Sequence, residues 1–394
     1  MRRSFYFNLA MLALLCLSSV SCSSPEDNAR NSVTQAADGK LSCSGIQDAT
    51  INGSARKYYE NIVKAAYATD ALQQDTASNP IAERMADISI EKENGEKCFV
   101  KDLGSEEQKK FLDSWAKVQA YELSQKIAQE PGREDAIIQQ NDAVDKAFAT
   151  LGVDAETRAG GTGKVDARKL FGLVRSELEK DTTDTQASMP QTRGCLSTDD
   201  DVNPTAFQNG LSRYSTRGDL IVSLPMDGAS WLPIGYSKKY KGLKMGHVGF
   251  ISASIRGTDN PQDTRFVLAA DINGVNYETL DWWNIRSYIM GLRRTTWKWS
   301  WRRGLYKEYN NLSQGDMERC LDYATRFLGT PYCADASFVI AKWVAPRKFV
   351  CSTLLWYAIK QIHGIDVSAW WNPTMVSPGD IYNSEYTYTK GHIQ

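Results

Sequence analysis

Histidine is scarce in this sequence of 394 residues, which holds only three, at positions 247, 363 and 392. So few imidazoles, with cysteines scattered rather than set at ligand spacing, leave no zinc pattern, and no metal or other cofactor is expected. Net charge is nearly absent as well, at −1, so nothing draws the chain as a whole to polyanions and no nucleic-acid partner is expected. Internal repeats are missing. With 42% hydrophobic residues and balanced charge the chain is too polar for an integral membrane protein and long enough for two globular domains.

The exception to this polarity is the N-terminus, where Arg2 and Arg3 precede an apolar run from Leu9 to Val20. The run is short for a permanent span, which needs about 20 apolar residues, and reads as an export signal over residues 1–21. Ser19-Val20-Ser21 before Cys22 and Ser23-Ser24 resembles a bacterial lipoprotein processing site, although Ser19 stands where that site usually has Leu. The same small residues suit an ordinary signal peptidase. The first reading anchors Cys22 to a membrane through acyl chains and the second secretes the chain.

Residues 22–47 are polar and aperiodic, as in a tether. A mainly helical domain is expected over 48–181: helical spacing runs from Ser54 to Gln74, Ser105 with Gln108 forms a capping-box signature for a helix to Gln129, and further helices fit Arg133 to Leu151 and Lys164 to Lys180. Between the first two, Ile88-Ser89-Ile90 and Cys98-Phe99-Val100 flank Asn94-Gly95, a favoured hairpin dipeptide. Thr, Ser, Pro and three successive acids make 182–205 a linker. Over 206–394 short strands at Gly218–Leu224, Val248–Ile251, Phe266–Ala270 and Tyr288–Trp301, with helices at Gln314–Leu328 and Cys351–His363, predict an α+β domain.

The search for a general base is short. His363 ends a helix before Gly364, where the dipole favours a cation, and His392 lies in the terminal tail. His247 stands between Gly246 and Gly249 at the mouth of a strand, where backbone or substrate approaches closely. Cys351 opens a helix, whose unpaired N–H groups and dipole favour a thiolate there and offer donors to a tetrahedral oxyanion. By itself a Cys at a helix start is more often a buried apolar residue, and a lone His on a strand is no stronger a signal.

The combination changes that balance. Gly218-Asp219-Leu220, Gly246-His247-Val248-Gly249, Gly329-Thr330-Pro331-Tyr332 and Phe349-Val350-Cys351-Ser352-Thr353-Leu354-Leu355, in that order, resemble the circularly permuted NlpC-type papain-like family, the YiiX-like group. The likeness runs from about Arg217 to Asn383 and takes in Gly364-Ile365-Asp366 and Ser377-Pro378-Gly379-Asp380-Ile381. It implies a permuted papain-like domain with an antiparallel sheet packed on helices, a thiol-peptidase mechanism with Cys351 as nucleophile and His247 as base, and substrate contacts from Tyr332, Gly246 and Ser352. A peptidoglycan peptide is the implied substrate, and the related lecithin:retinol acyltransferase-like proteins keep an acyl lipid open. The family's orienting Glu is missing from Val267-Leu268-Ala269-Ala270-Asp271, and Asp271, on the same strand face as the expected position, is the substitute. Loss of that Glu also admits a non-catalytic envelope-binding lipoprotein.

Export gives the cysteines a second meaning, because an oxidising compartment lets Cys43, Cys98, Cys195, Cys320 and Cys333 pair. A Cys43–Cys98 disulfide is expected within the helical domain; the pairing of the other three stays open, as does the oligomeric state. Trp297, Trp299 and Trp301 alternate along one strand among Arg293, Arg294, Arg302 and Arg303. They read as a core face with a basic edge or as an aromatic platform for sugars or headgroups.

Overall fold

A computed structural model describes residues 40–68, 80–129, 133–153, 165–180, 202–223, 246–252, 266–271, 273–279, 283, 286–300, 304–333, 347–368, 370 and 376–393. The signal, Cys22 and most of the tether, Cys195, nearly all of the linker, Trp301, Arg302 and Arg303 lie outside the described residues. Leu41–Gln394 forms one compact unit, and Met1–Lys40 separates as another, of which only Lys40 is described.

Architecture is α+β, a helical N-terminal region followed by a sheet with helices. The first region runs β1 (Lys40–Ser42), α1 (Gly53–Ala68), α2 (Pro80–Ala86), β2 (Ser89–Lys92), β3 (Lys97–Phe99), α3 (Ser105–Gln129), α4 (Arg133–Thr150) and α5 (Ala167–Lys180). Asn94-Gly95 makes the expected turn, with Gly95 at φ 80° and β2 antiparallel to β3. The cap of α3 differs from the expected box: Gly104 precedes the helix and Glu107 reaches back to its N–H. Cys43 and Cys98 both stand as free thiols, which corrects the expected disulfide. Each is half-buried against the helical core, a setting in which an apolar thiol is satisfied without a bridge.

The second region runs α6 (Pro204–Tyr214), β4 (Leu220–Ser223), β5 (His247–Ile251), β6 (Val267–Asp271), β7 (Gly274–Glu278), β8 (Ser287–Ser300), β9 (Gly304–Asn311), α7 (Gln314–Ala324), α8 (Cys351–His363), α9 (Pro378–Asn383) and β10 (Thr387–Ile393). The main strand path is β1-β9-β8-β4-β5-β6-β7. Its centre is β8, which is 14 residues long. The first part of β8 pairs with β4 and β10, and the rest pairs with β9 and, in parallel, with β2 at Ile90↔Trp297.

Strand alternation sorts the core. Val248, Phe250, Leu268 and Ala270 face α7 and α8, whereas Ile251, Val267 and Ala269 face Phe207 and Leu211 of α6 together with Trp283. Trp297 is buried in the helical core beside Phe111, at 6.0 Å between rings, while Trp299 two residues on is 40% exposed. Trp297 is therefore packing, not platform.

A polar cluster joins α3 to the sheet. Lys307 of β9 is fully buried, and its ammonium donates to Gln119 (2.7 Å), Glu122 (2.7 Å) and Glu385 (3.0 Å). Tyr309 donates to Glu122, and Arg293 of β8 donates through Nε to the Glu385 carbonyl at 2.8 Å. Burial pushes the Glu385 carboxyl up, but the Lys307 ammonium and the Gln119 amide outweigh it and hold the group below the usual range.

Candidate active site

Cys351 is the first residue of α8, which packs across β5 and β6. The helix starts where it does because Thr353 Oγ1 accepts from the Val350 N–H at 3.0 Å and donates back to the Val350 carbonyl at 3.0 Å. Leu354, Leu355, Ala358 and Ile359 supply the apolar face that holds it on the sheet. At its far end Gly364 takes φ 70° to close the helix. Cys351 itself is 7% exposed.

His247 opens β5, opposite Ser223 of β4, and is 3% exposed. Its Nε2 lies 2.9 and 3.0 Å from the two carboxylate oxygens of Glu278, the last residue of β7 and equally buried. With Nε2 taken by the carboxylate, Nδ1 is the ring nitrogen left for another partner, and Cys351 acts on the ring electrostatically. Burial alone disfavours the imidazolium. The Glu278 carboxylate and the Cys351 sulfur outweigh it and hold the proton affinity of His247 well above that of an ordinary histidine. Trp283 completes the group: its ring stacks on the imidazole at 5.0 Å and 26°, and its indole N–H donates to Glu278 Oε2 at 2.9 Å.

Glu278 replaces Asp271 as the carboxylate on the histidine. Asp271 Oδ1 accepts from the Asn273 N–H at 2.7 Å and from Asn276 Nδ2 at 2.8 Å. It thus braces the β6–β7 turn, in which Gly274 takes φ 99° and a Cβ would come within 2.5 Å of the Thr330 carbonyl. The β5–β6 pairing spans only Phe250↔Leu268 and Ile251↔Val267, so it does not extend to the Asp271 end, and the carboxylate that reaches His247 comes from the further strand. A polar residue ending a short alternating strand, Val275-Asn276-Tyr277-Glu278, was the available signal.

The three expected substrate contacts part company. The Ser352 hydroxyl donates to the Val376 carbonyl at 2.6 Å and is buried, so it is committed to packing α8 against the segment before α9. The Gly246 N–H donates to the Ser223 carbonyl at 2.9 Å. Tyr332 is half-buried in an isolated bridge to Phe349, two residues before Cys351. Burial, with Cys351, Cys333 and Asp271 adding negative field, raises its phenol far above the usual tyrosine value and keeps the O–H a donor at neutral pH. The motif that carries Tyr332 also clamps β7, since Thr330 accepts from the Val275 N–H and Gly329 donates to the Val275 carbonyl, each at 2.9 Å. His363 lies elsewhere, with Nε2 at 3.1 Å from the Asp316 carbonyl. His392 stacks on Tyr288 at 4.3 Å.

No family model and no curated protein matches the chain. Among solved structures, the crystal structure of metalloprotein yiiX from Escherichia coli O157:H7, DUF1105, is similar over 45% of this chain and 96% of that one, at 17% identity and a TM-score of 0.28. This is a weak, low-identity likeness to the YiiX/DUF1105 family. The name metalloprotein belongs to that protein. Among the described residues no group of three or more His, Cys, Asp or Glu side chains is placed to hold a metal ion.

Proposed function

We propose that this protein is a thiol-dependent hydrolase of amide or ester bonds, with Cys351 as nucleophile, His247 as its base and then its acid, and Glu278 as the orienting carboxylate. The observation that carries the reading is the placement of one buried imidazole between a buried carboxylate on Nε2 and a cysteine at a helix N-terminus.

In this reading the thiol proton passes to His247 Nδ1 and the sulfur attacks the carbonyl carbon, while the C=O electrons move to oxygen. The N–H groups of the first turn of α8 have no partner within the helix and face the resulting oxyanion. His247 returns the proton to the departing amine or alkoxide, leaving an acyl thioester on Cys351. It then deprotonates the water that releases the acid. Glu278 stabilises the imidazolium in both half-reactions without taking the proton. Tyr332, protonated and beside Cys351, is the proposed substrate hydrogen-bond donor.

The cell-wall peptide and acyl-lipid readings differ in the acyl group and in the group that leaves, an amine or an alkoxide. Mass spectrometry of cell-wall fragments and of lipids incubated with wild type and with Cys351→Ala separates them: a product that appears in either pool and needs Cys351 identifies the substrate. Iodoacetamide labelling tests the chemistry itself. Cys351 is expected to react faster than an ordinary thiol at pH 6, and His247→Ala is expected to abolish the excess. An inert Cys351, or one indifferent to His247, leaves a binding protein. Export and acylation of Cys22 are proposed on the sequence alone, and a fatty-acid analogue should label wild type but not Cys22→Ser.

A further inference from the structure

Trp283 is fully buried, and no step proposed above uses it. Its position is unusual in touching both partners of one ion pair: Nε1 donates to Glu278 Oε2 at 2.9 Å while the ring lies over the imidazole at 5.0 Å and 26°. We infer that Trp283 is a positioning residue that fixes the plane of His247 and limits how strongly Glu278 holds its proton. The inference rests on the reading of Cys351 and His247 as one unit.

The physical argument starts from the carboxylate. His247 Nε2 lies almost equally far from both oxygens, 2.9 and 3.0 Å, so the histidine alone does not choose between them. A second donor on Oε2 draws charge from that oxygen and leaves Oε1 as the better acceptor, which gives the imidazole one preferred orientation. The same donor lowers the basicity of the carboxylate. A bare buried glutamate would bind the imidazolium too tightly, whereas a general base must release its proton to the leaving group within each turnover. The stacked ring adds a steric constraint, because rotation of the imidazole about Cβ–Cγ would drive it into the indole. The ionisable groups acting on His247 are Glu278 from β7 and Cys351 from α8, so the indole tunes a two-partner system.

The test is the pH dependence of Cys351 alkylation by iodoacetamide in the full chain, which needs no substrate. In wild type the rate should change in two steps, the upper one marking loss of the imidazolium proton. Trp283→Phe keeps a stacking ring but removes the N–H donor, and it is expected to move the upper step to higher pH by roughly half a unit. Leu211→Ala, on α6 in the same apolar layer, serves as the control for mere loosening: it should lower stability and leave the step in place. An unmoved or lowered step in Trp283→Phe overturns the inference, as does an equal shift in Leu211→Ala. Should Trp283→Phe not fold, 15N-tryptophan labelling of wild type gives a second reading. One of the 11 indole N–H signals is then expected to shift through the upper step and to stay fixed in His247→Ala. No moving signal overturns the proposal. Absence of any His247-dependent step in wild type defeats the catalytic reading instead, so the two failures are distinguishable.

Discussion

Among the described residues, two clusters of buried charged side chains stand in contrast, because they are built on opposite plans. At the junction of α3 with the sheet, Lys307 spends its ammonium on Gln119, Glu122 and Glu385, and the acids are bound in turn by Tyr309 and Gln119. At the end of β5, His247 spends one ring nitrogen on Glu278 and feels the field of Cys351, a thiol at a helix start. Burial and charge are common to both, so neither property marks a site. The difference is that the first cluster is closed on itself, while the second ends on a group able to form a covalent bond.

Breaking each cluster should therefore give opposite phenotypes. Cys351→Ala and His247→Ala, alone or together, are each expected to lower kcat/KM by a similar factor, on the order of a thousandfold, because a thiol without its base and a base without its thiol are equally idle. If the double mutant instead loses the product of the two single effects, the residues do not act as a unit. Lys307→Met should do the reverse. It strands Glu122 and Glu385 and should cost about 3–5 kcal/mol in urea unfolding, with the folded fraction still fully active. Loss of activity ahead of stability in that variant would mean that the junction belongs to the site.

Substitution of the acids sharpens the contrast. Glu278→Gln keeps the shape of the side chain and should reduce activity roughly ten- to a hundredfold, the usual effect of removing a residue that orients a working imidazole. Asp271→Asn, whose parent carboxylate only braces a turn, should stay within about twofold. Equal effects at the two positions would overturn the assignment of Glu278.

The two clusters should also fail at opposite ends of the pH scale. His247 has a folded proton affinity above its unfolded one, so its contribution is complete below about pH 6.5 and is lost as pH rises through the raised folded value. Glu385 is shifted down, so its contribution is present above the unfolded carboxylate value and is lost as pH falls through the lower folded one. His392 adds to the acid side: burial and Arg286 lower it to about 4, so the unfolded chain takes up its proton first and stability falls between pH 6.5 and 4. Urea midpoints measured across pH should show the alkaline loss shrink in Glu278→Gln and the acid loss persist. A reducing agent should have the smallest effect of all: with Cys43 and Cys98 free, it should leave the unfolding midpoint where it was.

Much of this was legible from residue order. Apolar spacing placed α3, α4 and α8 nearly to the residue, and Cys351 does stand at a helix start and His247 at a strand mouth, the two positions from which the reacting pair is proposed. Glu278 was not legible, for a reason the turn itself explains. Asn273-Gly274 is the same dipeptide as Asn94-Gly95, and an aspartate two residues before it is placed to accept the Asn N–H. Asp271 is thus committed by local chemistry, and the carboxylate on the histidine comes from the next strand. Strand parity assigns a face but not how far along the sheet a side chain reaches, and that depends on where β5 and β6 stop pairing. Trp283 belongs to no periodic element and left no trace beyond its being a tryptophan.

One consequence of the long strand β8 concerns how the protein opens. Its amides are shared between the pairing with β4 and β10 and the pairing with β9 and β2, so no register of the chain lets one sheet fray while the other keeps a complete partner. In hydrogen exchange the N–H groups from Gly291 to Trp297 should be the last to acquire deuterium and should do so at a common rate, the rate at which the whole compact unit unfolds.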